Sequence, residues 1–292
     1  MDATYPRVTI GVFDSGFGGL TVLRELLPLI PGAHYVYLGD TARLPYGSKS
    51  RATIARYAVE SARFLESHGA NHLVIACNTA SALALDDIRA AVKIPVTGVI
   101  APGARSAWAA LASRAMNQTG VDRPQDHLRP DHRDVLVLAT QATVSSHAYD
   151  RACTALGLRA VEKACPLLVP LVEEGWIDHP VTREVIRIYL TEAIGDGTPN
   201  VVLLGCTHYP LIKHAIRAAL RELGHSIEVI DSARATALVV SHGIQNRIDA
   251  NPSRPDASFE CYATDSTEKF ARLGSQFLGQ PIPQVKLLDL GG

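Results

Sequence analysis

Two cysteines lie in almost the same sequence context, and this pairing constrains the fold more than any other feature of the chain. The run LVIACNT occupies residues 73–79, and the run VLLGCTH occupies residues 202–208. Each apolar stretch ends in a small residue and a cysteine, and a helical pattern follows. A short, uninterrupted apolar run is typical of a parallel strand that is buried on both faces. We therefore predict that Cys77 and Cys206 each lie where such a strand ends and a helix begins, the edge at which open α/β sheets bind ligands.

Strand-like and helix-like patterns alternate along the rest of the chain, and their spacing indicates a degenerate repeat. Asp14 ends the first predicted strand, and Cys77 follows it by 63 residues; Thr140 ends a corresponding strand, and Cys206 follows it by 66 residues. Alternation of this kind predicts an α/β fold with parallel sheets built from βαβ units. We expect two similar, doubly wound domains that face each other across a cleft, each contributing one cysteine.

The domain boundaries follow from the same pattern. Residues 1–100 and 231–292 are predicted to form the first domain, because the late βα units have no partner sheet of their own, and residues 101–230 are predicted to form the second. A chain of 292 residues is long enough for two such cores. Residues 114–133 lack an apolar period, so we expect a surface insertion there.

Composition excludes several classes of function. The 28 basic and 29 acidic residues nearly cancel, which leaves no electrostatic footprint for nucleic acid or an anionic membrane surface. No apolar run approaches the ~20 residues that span a bilayer, and residues 1–7 lack the basic and apolar regions of a signal peptide. Five cysteines without a CxxC spacing favour a reduced, cytoplasmic protein.

The two matched cysteines have the chemistry of paired thiolates. A helix N-terminus presents free N–H groups and a positive dipole end, so we expect the pKa of each thiol to be lowered. Zinc usually takes local ligand pairs such as CxxC, which neither motif has, so no metal site is predicted. A redox dithiol would also favour a CxxC spacing, which neither motif has. The other three cysteines lack this context and are expected to belong to the cores.

Other polar residues lie beside the predicted strand ends. The segment DSGFGG at residues 14–19 meets neither nucleotide-binding fingerprint, and it is interpreted as a strand-to-helix turn that aims Asp14 and Ser15 at the ligand edge. The segment PYGS at residues 45–48 is a candidate loop of backbone donors. His208 follows Cys206 by two residues, where an imidazole tunes a thiol or moves its proton.

Together these motifs resemble those of the glutamate racemases, the cofactor-independent enzymes of the aspartate/glutamate racemase superfamily. The resembling segments run in family order across most of the chain. They are GVFDSGFGGL at residues 11–20, YLGDTARLPYG at 37–47, ACNTA at 76–80, ATQAT at 139–143 and LGCTHYPL at 204–211. Ala142 stands where the family usually has glycine, and the insertion at 114–133 is longer than expected for the family.

The resemblance implies roles for particular residues. It implies that Cys77 and Cys206 are the two acid–base groups, the first acting on D-glutamate and the second on L-glutamate. It implies substrate contacts from a set of strand-end residues, namely Asp14, Ser15, Tyr46, Gly47, Asn78, Thr79, Thr140, Thr143, Thr207 and His208. It further implies a cytoplasmic enzyme, often a homodimer, that binds glutamate and supplies D-glutamate for peptidoglycan.

Racemisation is also the chemistry that these residue types fit. Removing a proton from one face of Cα and returning one to the other needs two groups, one deprotonated and one protonated. No pyridoxal-lysine motif is evident, so no cofactor is expected, and site electrostatics must stabilise the carbanion. We expect Asp14 and His208 to support the two thiols. The open alternatives are a related aspartate or hydantoin racemase, and a thiol-based ligand-binding or redox protein.

Overall fold

The computed structural model describes residues 8–117, 133–195, 197–244, 257–282 and 284–290. Residues 1–7, where no signal peptide is expected, and most of the predicted insertion at 114–133 lie outside these ranges. The chain divides into two compact units. Unit 1 comprises Met1–Val99 and Ala233–Gly292, and unit 2 comprises Ile100–Ser232.

Unit 1 contains a six-stranded sheet in which every neighbouring pair is parallel, in the order β10-β9-β2-β1-β3-β4. Its strands are β1 (Thr9–Asp14), β2 (His34–Gly39), β3 (His72–Ile75), β4 (Val96–Gly98), β9 (Ser258–Ala263) and β10 (Val285–Leu287). Its helices are α1 (Leu20–Leu29), α2 (Arg51–Ser67), α3 (Asn78–Leu83), α4 (Leu85–Ala91), α11 (Ser232–Ile244, which begins on the last residue of unit 2) and α12 (Thr267–Leu278).

Apolar side chains from alternating positions of this sheet form cores on both of its faces. Phe13 and Leu38 pack into the core beneath α2, α3 and α4. Tyr37 points the other way, and its ring contacts that of Phe270 on α12 at 5.8 Å. Because both faces are covered, the strands are apolar throughout rather than alternating with polar residues, as the sequence indicated.

Unit 2 contains a four-stranded parallel sheet in the order β6-β5-β7-β8. Its strands are β5 (Val135–Ala139), β6 (Ala160–Ala164), β7 (Val201–Gly205) and β8 (Glu228–Asp231). Its helices are α5 (Ile100–Asn117), α6 (Gln141–Ser145), α7 (Ala148–Thr154), α8 (Leu168–Glu173), α9 (Pro180–Ile194) and α10 (Lys213–Glu222). The first residues of the predicted insertion therefore belong to α5, which continues to Asn117.

The two sheets confirm the predicted α/β class and share an order of strands. The order β2-β1-β3-β4 in unit 1 corresponds to β6-β5-β7-β8 in unit 2. By this correspondence Cys77, after β3, is equivalent to Cys206, after β7. Within the described ranges, no helix combines the length and apolar character that a membrane span requires.

Candidate active site

Cys77 lies at the carboxyl edge of the unit 1 sheet, where it forms the N-cap of α3. Its Sγ accepts a hydrogen bond from the Ala80 N–H at 3.4 Å and donates one to Ser15 Oγ at 3.5 Å. The strand-to-helix position is as predicted, but the expected lowering of its pKa is wrong. Burial and the nearby Asp14 charge raise the pKa of Cys77 to about 12, against the opposing hydrogen bonds. Loss of solvation thus outweighs the helix N-terminus.

Asp14 ends β1, the strand next to β3, and its side chain is fully buried. Its Oδ2 accepts a hydrogen bond from the Gly16 N–H at 2.9 Å, which closes the turn that follows. Gly19 is needed for this turn, because a Cβ there would meet the Asp14 Cβ at 2.5 Å. Gly19 therefore allows close packing beside the buried carboxylate, and Gly16 donates a backbone hydrogen bond to it.

The remaining unit 1 candidates lie at the same edge. Asn78 and Thr79 are buried in the first turn of α3, directly after Cys77. Tyr46 and Gly47 begin a short 3₁₀ turn, Tyr46–Ser48. The Tyr46 side chain is buried, and its hydroxyl donates to Asp40 Oδ2 at 2.5 Å. The Tyr46 hydroxyl thus donates its proton within unit 1, to the Asp40 carboxylate.

Cys206 has a different set of partners in unit 2. Its Sγ lies 4.0 Å from His208 Nδ1, and His208 Nε2 lies 3.0 Å from Glu173 Oε1. Burial lowers the pKa of His208, but its interactions with Cys206 and Glu173 outweigh that effect and raise the pKa to about 10. With this pKa the imidazole beside Cys206 is protonated at neutral pH. His208 thus lies next to Cys206, as expected, and Glu173 holds the far side of its ring.

Sequence reasoning missed Glu173. It is the last residue of α8, in a segment without a recognised motif, and its contact with His208 crosses 35 residues of chain. The sequence does show a histidine beside a thiol, and a histidine in that role is usually oriented by a third group. That pattern indicates that an orienting group exists, but it does not identify Glu173.

The threonines of unit 2 that are predicted to contact substrate follow β5 and β7, which are neighbouring strands of its sheet. Thr140 follows β5 and is the N-cap of α6, where its Oγ1 accepts from the Thr143 N–H at 3.4 Å. Ala142 falls inside this helix, a conformation that suits alanine. Thr207 Oγ1 lies 3.4 Å from His208 Nδ1.

Two buried tyrosines support the strand ends around Cys206. The Tyr209 hydroxyl donates to the carbonyl oxygens of Cys165 at 2.9 Å and Ala139 at 3.4 Å, which joins the ends of β6 and β5. The Tyr149 ring packs against Gly205, where a Cβ would approach the ring to 2.8 Å. The residue before Cys206 is therefore restricted to glycine by packing.

The geometry supplies two thiols in equivalent structural positions with opposite electrostatic neighbours. A carboxylate next to Cys77 helps to raise the pKa of that thiol, whereas the neighbour of Cys206 is an imidazole whose own pKa is raised. The remaining cysteines, Cys153, Cys165 and Cys261, are buried and unpaired, and burial raises the pKa of each to about 12. Among the described residues, no three histidine, cysteine or acidic side chains are grouped as metal ligands.

Comparison with known proteins identifies the family of the chain. Residues 10–240 match the family model of Asp/Glu/hydantoin racemases. The glutamate racemase of Koribacter versatilis is 48% identical to the chain, over 98% of this chain and 99% of the relative.

Solved structures of glutamate racemases are also similar over nearly the whole chain. The Thermus thermophilus enzyme, solved with beta-chloro-D-alanine, is 40% identical with a TM-score of 0.79 and 98% of each chain covered. The Francisella tularensis enzyme, solved with D-glutamate, is 30% identical with a TM-score of 0.80, covering 97% of this chain and 98% of that one. The chain is thus an amino-acid racemase that belongs to the Asp/Glu/hydantoin racemase family, and within it resembles the glutamate racemases.

Proposed function

We propose that the chain interconverts L-glutamate and D-glutamate without a cofactor, by a two-base mechanism that uses Cys77 and Cys206. The observation that carries this proposal is the pair of equivalently placed thiols, one beside a buried carboxylate and the other beside an imidazole. A racemase needs one base and one acid at the start of each turnover, and these neighbours favour one of each.

In the direction from L-glutamate, the Cys206 thiolate removes the Cα proton and becomes a thiol. The Cys77 thiol then donates its proton to the opposite face of the carbanion and becomes a thiolate. The reverse direction begins with the Cys77 thiolate and ends with its thiol restored. The mechanism requires that both sulfur atoms reach the same substrate carbon from opposite sides.

The surrounding groups have distinct roles in this scheme. We propose that Asp14 holds the substrate ammonium and that His208, oriented by Glu173, stabilises the Cys206 thiolate. The helix N-termini after Cys77 and Thr140 offer backbone N–H groups to the substrate carboxylates. Such donors stabilise the charge that develops during proton removal.

The decisive experiment is to follow the circular dichroism of L-glutamate incubated with the purified chain and no added cofactor. We expect the signal to decay to that of an equal mixture, and D-glutamate to approach the same end point. L-aspartate serves as the second substrate, because faster racemisation of aspartate would identify an aspartate racemase instead.

Two single substitutions test the assignment of the bases. Cys77→Ser and Cys206→Ser should each nearly abolish racemisation while leaving the fold intact, because a serine hydroxyl is similar in size and far less acidic. Cys153→Ser is the matched control, since it removes another buried, unpaired thiol and should keep turnover near that of the unmodified chain. Near-normal turnover in either of the first two variants would rule out the two-base mechanism.

Kinetic measurements separate binding from proton transfer. The dependence of kcat/KM on pH should be bell-shaped, with the two limbs reporting the base and the acid as a coupled pair. Asp14→Asn and His208→Asn should lower kcat more than they raise KM, because both groups interact with charge that changes during the reaction. The His208 variant should be affected more with L-glutamate as substrate.

We further propose that the enzyme works in the cytoplasm and supplies D-glutamate for peptidoglycan. Its five unpaired cysteines suit a reducing compartment. Loss of the gene product in its host should then create a requirement for added D-glutamate; growth without it would refute the assigned role.

A further inference from the structure

A fully buried carboxylate other than that of Asp14 lies at the carboxyl edge of unit 1. Asp40 directly follows β2, and its backbone N–H donates to the Asp14 carbonyl oxygen at 3.0 Å. A buried charge is tolerated only where hydrogen bonds and an opposite charge replace water. The groups that donate hydrogen bonds to the Asp40 carboxylate therefore fix the position of the neighbouring chain segments.

Three side chains donate hydrogen bonds to the Asp40 carboxylate. Arg43 Nε lies 2.9 Å from Oδ1 and 2.7 Å from Oδ2. The Tyr46 hydroxyl reaches Oδ2 at 2.5 Å, and Thr264 Oγ1 reaches Oδ1 at 2.9 Å. Asp40 thus connects the 3₁₀ turn that begins at Tyr46 to residues from two other parts of unit 1.

Thr264 comes from the distant end of the chain, immediately after β9. Its hydroxyl donates to Asp40 and accepts from the Ala42 N–H at 2.9 Å, so one oxygen joins the carboxylate to the backbone that leads into the turn. Thr41 and Asp265 exchange two further hydrogen bonds of 2.6 and 2.9 Å beside it. Thr264 and Asp265 lie outside residues 10–240, the range that matches the family model.

Arg43 is held from the side of α2. Its Nη1 donates to Glu60 Oε2 at 2.5 Å, and its guanidinium lies 4.2 Å from the centre of the Tyr57 ring. The Tyr46 ring packs between Phe13 and Tyr57, with centroids 6.2 and 6.1 Å away. The position of the turn is therefore determined through Asp40 on one side and aromatic packing on the other.

We propose that Thr264 and Arg43 are positioning residues that hold the Tyr46–Gly47 main chain in its substrate-binding conformation through the buried carboxylate of Asp40. The inference rests on the proposed function, in which this main chain contacts glutamate. Its structural part concerns the ligand-free chain and is measured without substrate.

The test compares Thr264→Val, which has the same shape without the hydroxyl, with Thr264→Ser, which retains the hydroxyl. Hydrogen exchange of the ligand-free protein should be roughly tenfold faster or more in Thr264→Val across the peptide covering residues 41–49. The variant loses both the hydrogen bond to the charged Asp40 carboxylate and the acceptor of the Ala42 N–H. Thr264→Ser should exchange like the unmodified chain, and the peptide around Cys206 should be unchanged in both variants.

The kinetic arm measures KM and kcat for glutamate at a temperature well below unfolding. Thr264→Val should raise KM about tenfold with a much smaller change in kcat, since the turn binds substrate and transition state alike. Thr264→Ser should restore the unmodified KM. If Thr264→Val does not fold, Glu60→Ala, at a partly exposed position, removes the Nη1 contact of Arg43 and should shift exchange and KM in the same direction.

Each outcome bears on one part of the proposal. Unchanged exchange in Thr264→Val, or equal effects of valine and serine, would overturn the positioning role of the hydroxyl. Faster exchange with an unchanged KM would show that the turn does not position substrate, which also overturns the inference. If exchange is faster in Thr264→Val but the unmodified chain does not racemise glutamate, the positioning role of Thr264 is supported and only the proposed function is refuted.

Discussion

Replacing Glu173 by glutamine is the sharpest test of how the second thiol is activated. The substitution preserves the size of the side chain but removes the charge that lies 3.0 Å from His208 Nε2. The His208 side chain is only 7% exposed and that of Glu173 is 21% exposed, so water screens the pair weakly. We expect the pKa of His208 to fall, because the imidazolium loses its opposite charge.

The size of the effect follows from the charge that is lost, because glutamine can still accept a hydrogen bond from His208. A hydrogen bond to a charged group contributes about 1.5–3 kcal/mol and a neutral one about 0.5–1.5 kcal/mol, so we expect a loss of about 1–1.5 kcal/mol. At 1.36 kcal/mol per pKa unit, the pKa of His208 should fall by roughly one unit from its value of about 10. If that stabilisation reaches the Cys206 thiolate in full, kcat for L-glutamate should fall about tenfold.

The assay is an NMR titration of the His208 ring protons, paired with initial rates in both directions. Asp178→Asn is the matched control, because Asp178 also bonds a histidine Nε2, that of His214 at 2.6 Å, on an exposed surface. It should leave both rates unchanged. A His208 titration midpoint that is the same in Glu173→Gln as in the unmodified chain would refute the argument.

Three further predictions follow from the same contacts. Asp14→Asn should lower the pKa of Cys77 from about 12, so that this thiol is alkylated faster at pH 8, measured by mass spectrometry; an unchanged rate would contradict the assigned effect of the carboxylate. Gly205→Ala should destabilise the chain by about 1–3 kcal/mol through overpacking, whereas the control Gly243→Ala, with open space around the new Cβ, should change the unfolding free energy by no more than about 1 kcal/mol. Because the folded pKa of His208 is raised to about 10, the stability that its charge contributes is complete below pH ~6.5 and is lost as pH rises towards 10. Between these two pH values, the free energy of unfolding measured in urea should decrease less in His208→Asn than in the unmodified chain.

The strands and their ends could be predicted from the sequence because parallel strands buried on both faces leave an uninterrupted apolar run. The run at Val135–Ala139 is a strand with those bounds, and both thiols follow such runs. The cysteine after the first run also identified a helix start, because Cys77 is the N-cap of α3. The same prediction is wrong for Cys206, which is followed by a 3₁₀ turn at Tyr209–Ile212, and α10 begins only at Lys213.

What the sequence could not reveal depends on contacts between distant segments. The pKa of Cys77 was wrongly expected to fall, because the extent of burial and the approach of Asp14 arise only when the strands are side by side. Glu173 and Thr264 were missed for the same reason. Each acts through a hydrogen bond to a residue 35 or 224 positions away, and no local pattern records such a contact.

The discontinuous composition of unit 1 has a consequence for synthesis on the ribosome. Strand β9, which pairs with β2, emerges only after the chain has been extended from residue 99 to residue 263. At about 5–20 residues per second this takes roughly 10–30 s. During that time the apolar edge of β2 has no partner strand, and such edges invite aggregation. Unit 2 is continuous in the chain, so the thiol that is translated first, Cys77, belongs to the unit whose sheet is completed last.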